Sequence, residues 1–486
     1  MSISFNGIPN SVKTPFAFIE FDNSRASNSG SQDYKALIIG QKLVAGTHPK
    51  EEKIRVTSKE EAGILFGEGS MLHSMISTFK DNNSSTELWA IALEDDGSAT
   101  KSVKTLTVTS TSAKAGTIQG YVGGKLIKSG VTTGEDSTSI ASDLADAINA
   151  EALCPFTASS SLGVVTITAK HGGELPEELE ISFNHNFGEK FPEGVSIAVA
   201  SSVSGSGNPD VQDAINVFGD DQFNIIVSPY TDTANLIALE SELDTRFGPQ
   251  VQTEGMIASA KNATHGDLGT LGDSRNSQHV TIMSCYKTPT PSYEVASAYG
   301  ALLSFYGAID PARPFQTLEM KSVLAPKEAN RFIRTERDLL IHDGISTFII
   351  DAGGKVRIEY AVTTYNLGAL GNKDLSYQNV NTLLTLSYLR FSVRNRLLGK
   401  YPRHKLANDG SQVSGQAIVT PSVIKGEMIS LFGEWQDKGL VENKKQFIAD
   451  LIVERNADNL DRLDFLISPD LINQMRVFAG KIQFLA

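Results

Sequence analysis

The segment Ile3 to Ser24, ISFNGIPNSVKTPFAFIEFDNS, constrains the fold more than any other stretch of the chain. Pro9 and Pro15 exclude a continuous helix, because each lacks an N–H donor and biases the residue before it toward extended geometry. Ile3 and Phe5 open the segment, and Phe16, Phe18, Ile19 and Phe21 form a strand-like run with apolar side chains on both faces. Such a strand is not stable alone in water. It is covered on both sides by its own core, or it is an arm added to the sheet of a neighbouring copy.

At 486 residues the chain is long enough for about two to four domains with substantial cores. Its formal net charge of −13 argues against a general nucleic-acid binder, whose phosphate contacts need a basic face. The two cysteines, Cys154 and Cys285, lie far apart and outside any CxxC pattern, so neither a disulfide framework nor a zinc site is indicated. No apolar run approaches the roughly 18 residues of a membrane span, and the start lacks the basic-then-apolar order of a secretory signal. The expectation is synthesis and first assembly in a cytoplasm.

Along the chain, 34–40 (YKALIIG) reads as a buried strand, 57–65 as a helix with Thr57 or Ser58 at its cap, 71–79 as an amphipathic helix, and 86–93 as a strand. This order suits an α/β layer. From about residue 97 to 208 the texture becomes rich in Ser, Thr and Gly. Strands are expected near 105–109, 163–169 and 180–183. A helix at 137–150 carries Ile140, Leu144 and Ile148 on one face. This region reads as a β-rich insertion, with 202–208 as the return linker.

Strands then follow at 223–228, 256–260, 280–284 and 347–350, with helices at 231–247, 292–306 and 326–343. Gly353-Gly354 marks a hairpin. The last section reads as a helix at 378–398 and a second, capped at Thr420-Pro421, running to about residue 438. Strands are expected at 445–454, 462–468 and 474–485, the last bearing Val477, Ile482 and Phe484.

Six stretches in this order resemble the tail sheath proteins of Mu-like contractile phages. They are ISFNGIP, QFNIIVSPYTDTANLIALESEL at 222–243, SAYGALLSFYGAIDPARPFQTLEMKSV at 297–323, DGISTFIIDAGGKVRIEYAVTTY at 343–365, TLLTLSYLRFSVRNRLLGKYPRHKLANDG at 382–410 and DNLDRLDFLISPDLINQMRVFAGKIQF at 458–484. The resemblance implies an α/β multidomain chain. Its expected parts are an extended N-terminal arm (1–24), a subtilisin-like α/β sheath domain (25–96 and 209–375) interrupted by the insertion (97–208), and an α+β C-terminal domain (376–486).

A subtilisin-like fold invites a search for catalysis. No GxSxG occurs, and of the eight histidines only His265 in HGD and His342 in IHDG invite a check; both read most simply as loop or helix-end residues. No GxxxxGK[ST] string is present, and Gly67-Glu68-Gly69 reads as a plain turn, since Glu68 would repel phosphate. No HExxH or calcium-loop spacing occurs either. The expectation is no enzyme, no cofactor and no metal.

Between Leu375 and Asn408 the chain has no Asp or Glu, yet it holds Arg390, Arg394, Arg396, Lys400, Arg403 and Lys405. Arg390 and Arg394 lie one helical turn apart and repel unless an acidic group faces them. One reading is a solvated helix face offset by Asp458, Asp461 and Asp464. The other is a contact surface for an acidic partner. Since the C-terminal domain of the resembling sheaths lies innermost, the resemblance makes that partner the tube, met by Arg390, Arg394, Arg396 and Lys400.

The function implied is mechanical: copies stacked in rings around a tube exchange terminal strands and shorten to drive the tube through a bacterial envelope. Six-fold rings, a tube protein, baseplate and tail-terminator proteins are the expected partners, with no nucleic acid and no membrane insertion. The sheath of a headless contractile particle and, less well matched, a hydrolase are the rival readings.

Overall fold

The computed structural model describes residues 33–111, 113–411 and 415–485. The proposed arm residues Ile3, Phe5, Phe16, Phe18, Ile19 and Phe21 lie outside them. The chain divides into two units, one comprising Tyr34–Phe305 with Phe315–Val380, the other Tyr306–Pro314 with Asn381–Ala486.

In the first unit, five strands run parallel in the order Val280–Cys285, Met256–Asn262, Ile225–Val227, Lys35–Gln41, Glu87–Leu93, and Lys53–Arg55 closes the sheet antiparallel to the last. A parallel strand is covered on both faces by the helices that connect it, so its residues are apolar in unbroken runs rather than alternating. Leu37, Ile38 and Ile39 are accordingly fully buried, as are Ile225, Val227, Ile257 and Ile282. The helix Ser292–Ile309 comes close to this sheet, and a Cβ on Gly300 would sit 2.5 Å from Val227. A glycine is what that approach requires.

The expected helices at the start are present as Lys59–Phe66, with Ser58 Oγ accepting from the Glu61 N–H, and Met71–Asn82, capped by Ser70. Asp351-Ala352-Gly353-Gly354 turns the hairpin Thr347–Ile350 to Val356–Tyr360, with Gly354 at φ 78°. The helix expected at 326–343 begins later, at Arg334. Glu336 folds back to accept from the Ile333 N–H, fixing the start there, and Glu328–Asn330 forms only a 3₁₀ turn. A helix at His265–Asp273, capped by Thr264, was not anticipated.

Between Lys101 and Val203 seven strands and the helix Ser137–Ala150 are described. They form a four-stranded sheet (Val195–Val203, Lys101–Ser110, Val164–Gly172, Phe156–Ser161) and a three-stranded one (Lys125–Val131, Gly116–Val122, Ile181–Phe183). Ile140, Leu144 and Ile148 are fully buried, as their spacing requires.

In the second unit the helix Pro421–Asp437 starts with proline at its first position, where no N–H is needed. Met428, Leu431, Phe432 and Trp435 pack with Leu389, Val393, Phe447 and Leu451. The strand expected at 445–454 is instead a helix, Lys444–Asp450, followed by a short strand, Ile452–Arg455. Phe447 and Leu451, four apart, both reach the core, and Phe447 stacks on Phe432 with ring centroids 4.3 Å apart. That period is helical, and the apolar residues of KKQFIADL do not alternate.

The strand expected at 474–485 also does not form. After Asp470–Leu471, which pairs with Val441–Glu442, no ladder partner is described for the remaining residues.

Candidate interaction surfaces

In open α/β sheets ligands bind beyond the carboxyl ends of the strands, where the strand order reverses. Here that reversal lies between Lys35–Gln41 and Ile225–Val227, and the inserted region occupies the space. Gln41 Nε2 donates to Gly172 O and to Asp95 Oδ1, both at 2.8 Å. Asp95 also meets His171 Nδ1 at 3.0 Å, and His171 Nε2 accepts from the Met71 N–H at 3.1 Å. Further along the sheet Glu178 reaches Lys261 Nζ at 2.5 Å, the Asn262 N–H at 3.2 Å and Ser292 Oγ at 3.1 Å. At these points the chain's own polar groups bond across the crevice.

The residues considered for chemistry are structural in their contacts. His265 Nε2 lies 3.0 Å from Glu336 O and edge-on to Phe332, and His342 closes the last turn of its helix. In the Gly67-Glu68-Gly69 turn both glycines have positive φ, and the Gly69 N–H is spent on His73 Nδ1 at 3.2 Å. Cys154 and Cys285 are free and buried, and burial pushes both thiols up. Among the described residues no cluster of three or more His, Cys, Asp or Glu could hold a metal ion. No helix among them is long and apolar enough to cross a membrane.

Two cations of the basic helix, Val380–Lys400, are answered by carboxylates from within its own unit. The helix Pro421–Asp437 contributes Glu427 and Glu434. Arg396 meets Glu427 at 3.3 Å and also pairs with Glu434, while Lys400 reaches Glu427 at 2.8 Å and the Tyr401 hydroxyl donates to it at 2.9 Å. Burial acts to raise the Glu427 carboxyl, but the donors Lys400, Tyr401 and Arg396 outweigh it and hold it below its ordinary value. Burial, then the Glu427 contact, push Tyr401 up to about 12. The premise of unanswered charge therefore fails for Arg396 and Lys400. An acid-free window in sequence says nothing of carboxylates brought in by the next helix. Arg390 and Arg394 are half-buried on the same helix.

The other surface is apolar. Within the second unit the Ile472 N–H donates to Leu440 O at 3.1 Å, and Gln474 Nε2 to Ala312 O at 3.3 Å. Beyond them Val477 is 77% exposed, Phe478 88%, Ile482 93% and Phe484 85%. The hairpin Ile452–Arg455 with Leu463–Leu466 is a sheet of only two strands, whose outer edges have no strand beside them among the described residues. Phe478 was not singled out from sequence, because a strand reading put it on the opposite face from Val477.

Residues 204–364 match the model of the phage tail sheath protein central domain, and residues 372–485 that of the phage tail sheath C-terminal domain. The Mu-like prophage FluMu tail sheath protein of Haemophilus influenzae is 39% identical over 487 residues, spanning 100% of both chains. Among solved structures, the sheath tail protein of Desulfitobacterium hafniense is 13% identical with a TM-score of 0.48, over 94% of this chain and 100% of that one. That of Listeria innocua is 12% identical with a TM-score of 0.49, over 90% and 92%. With a full-length relative at this identity and both sheath models matched in order, the chain belongs to the phage tail sheath family and is a structural subunit of a contractile tail.

Proposed function

We propose that copies of this chain stack as rings, six-fold by the family resemblance, around a tail tube and stay joined through exchanged terminal segments while the lattice shortens. The observation that carries this reading is the exposed apolar segment at 477–485 in a unit that also offers a two-stranded sheet with open edges. Extended segments add to such edges through backbone hydrogen bonds, and side chains such as Val477, Phe478, Ile482 and Phe484 then leave water. The segment with Ile3, Phe5, Phe16, Phe18, Ile19 and Phe21 is read as the matching arm at the other end.

The work of contraction then comes from the difference in contact free energy between two packings of folded subunits, without nucleotide or catalysis. The parallel sheet supports the finer likeness to subtilisin-type folds, and the polar contacts made across the crevice at its carboxyl end support a domain used as a scaffold. The domain limits at 96, 208 and 375 belong to the same reading. The tube partner is assigned to the helix bearing Arg390, Arg394, Arg396 and Lys400. Arg396 and Lys400 supply charge already shared with Glu427, which suits orientation and register more than affinity. Baseplate and terminator proteins would cap the two ends of the stack, in a virion tail put together in the host cytoplasm.

Electron microscopy of the purified protein tests the proposal. Tubes of stacked rings are expected from the full chain, and their absence under all assembly conditions would overturn it.

A further inference from the structure

The two outer edges of the four-stranded sheet in the inserted region are handled in opposite ways. At the edge strand Phe156–Ser161, Asn149 from the adjoining helix donates to Ala158 O and accepts from the Ala158 N–H, both at 2.8 Å. That side chain occupies the place a further strand would take. At the other edge Val195–Val203 pairs with Lys101–Ser110 on one side only among the described residues. Its sequence, VSIAVASSV, holds no charge and no proline, the usual guards of an exposed edge. Val199 is 46% exposed and Val203 41%, although their neighbours across the ladder include the fully buried Leu106. A strand laid along this edge would cover them.

The sequence of the strand also says what that partner is. Read in both directions about Val199, it nearly repeats itself: Ala198 matches Ala200, Ser196 matches Ser202 and Val195 matches Val203, with Ile197 against Ser201 the one mismatch. An antiparallel pair of identical strands brings these residues opposite one another, like with like. The β-bulge at Ser201–Val203 lies at one end and leaves the centre regular. The chain's net charge of −13 would oppose self-association elsewhere, but none of it lies on this strand.

We propose that Val195–Val203 is a two-fold docking edge for the same strand of a second copy of this chain. Contacting neighbours in a polar helical tube are related by a rotation about the tube axis with a shift along it, not by a local two-fold between them, and on the sheath reading the pair therefore forms between unassembled subunits and parts on assembly. The dimer itself does not depend on that reading.

The test uses full-length protein with Val199→Cys under mild oxidation. Facing Cα atoms in an antiparallel pair lie about 4.5–5.5 Å apart, within disulfide reach, and the native Cys154 and Cys285 are buried. A single disulfide-linked dimer band is expected from the soluble subunits, and no such link from pelleted tubes. No dimer or a ladder of larger species would overturn the proposal, and equal linking within tubes would overturn the parting of the pair on assembly. Charge exchange gives a second measurement by size-exclusion chromatography with light scattering. Val199→Lys and Val199→Glu subunits should each be monomeric, since like charges would face each other, and mixing them should restore the dimer. A mixture that stays monomeric overturns the two-fold pairing, whereas tube formation seen by microscopy reports on the sheath reading alone.

Discussion

The strand Lys35–Gln41 and the segment from Val477 to Leu485 are both apolar, yet they end in opposite environments. In the first, Leu37, Ile38 and Ile39 are sealed between parallel neighbours, paired with Ile225–Val227 on one side and Glu87–Leu93 on the other. In the second, Val477, Phe478, Ile482 and Phe484 stand in solvent with no strand beside them among the described residues. A strand in the middle of a sheet meets its hydrogen-bonding and burial needs within its own chain. The C-terminal segment meets neither among the described residues, and on the proposed reading another subunit makes up that shortfall.

The comparison breaks most visibly if the terminal segment is removed. Deleting residues 477–485 should leave the subunit folded, with its circular dichroism and melting temperature close to those of the full chain, but should abolish tube formation. Each large side chain that docks contributes about 1.5–3 kcal/mol, so four lost together weaken each contact by orders of magnitude. A truncated chain that still polymerises would show that the segment makes no lattice contact, and one that fails to fold would show that it belongs to its own core.

Next in size is a change at the centre of the sheet. Ile38→Ala should lower unfolding stability by about 2–5 kcal/mol in a denaturant titration, because a buried cavity adds to the lost transfer energy. Ile482→Ala, an exposed change, should stay within about 0.5 kcal/mol on the same assay. Similar losses at both positions would mean that the terminal segment is buried in solution.

The sheet was legible because parallel strands carry unbroken apolar runs, which residues 36–39 and Ile225–Val227 display. Helices carrying their own caps, such as Met71–Asn82 behind Ser70, were equally readable. Some misses were local, such as the helical period of Lys444–Asp450, but others depended on partners distant in sequence. The charge balance of the basic helix needed Glu427 and Glu434 from another helix. The expected terminal strand failed because a strand requires a neighbour, and residues 474–485 have none in the described chain. The polar seal made by Glu178 was invisible too, since its partners lie 83 to 114 positions away.

That seal gives a third, smaller prediction. The inserted region has the texture of a separate module, yet it belongs to the same unit as the sheet it covers. Glu178→Ala leaves Lys261 without its carboxylate and the Asn262 N–H without its acceptor. The expected cost is about 1–3 kcal/mol of unfolding stability. A neutral result would mean that the region rests on the sheet without bracing it, and that replacing residues 97–208 by a short linker is tolerated.

The smallest expected effect concerns Glu427, which separates charge used within the subunit from charge available to a tube. Its carboxyl is held below its ordinary value of 4.5 by Lys400, Tyr401 and Arg396, against the opposing effect of burial. A depressed carboxylate contributes stability that is complete above its unfolded value and is lost as pH falls through the folded one. Glu427→Gln should therefore cost something on the order of 1 kcal/mol at pH 7. The gap to wild type should hold down to about pH 4.5 and close below it. Melting both proteins from pH 7 to pH 3 measures this directly. A gap independent of pH would mean that glutamine disturbs packing rather than charge, and Arg396 and Lys400 would then return to the pool of charges open to a partner.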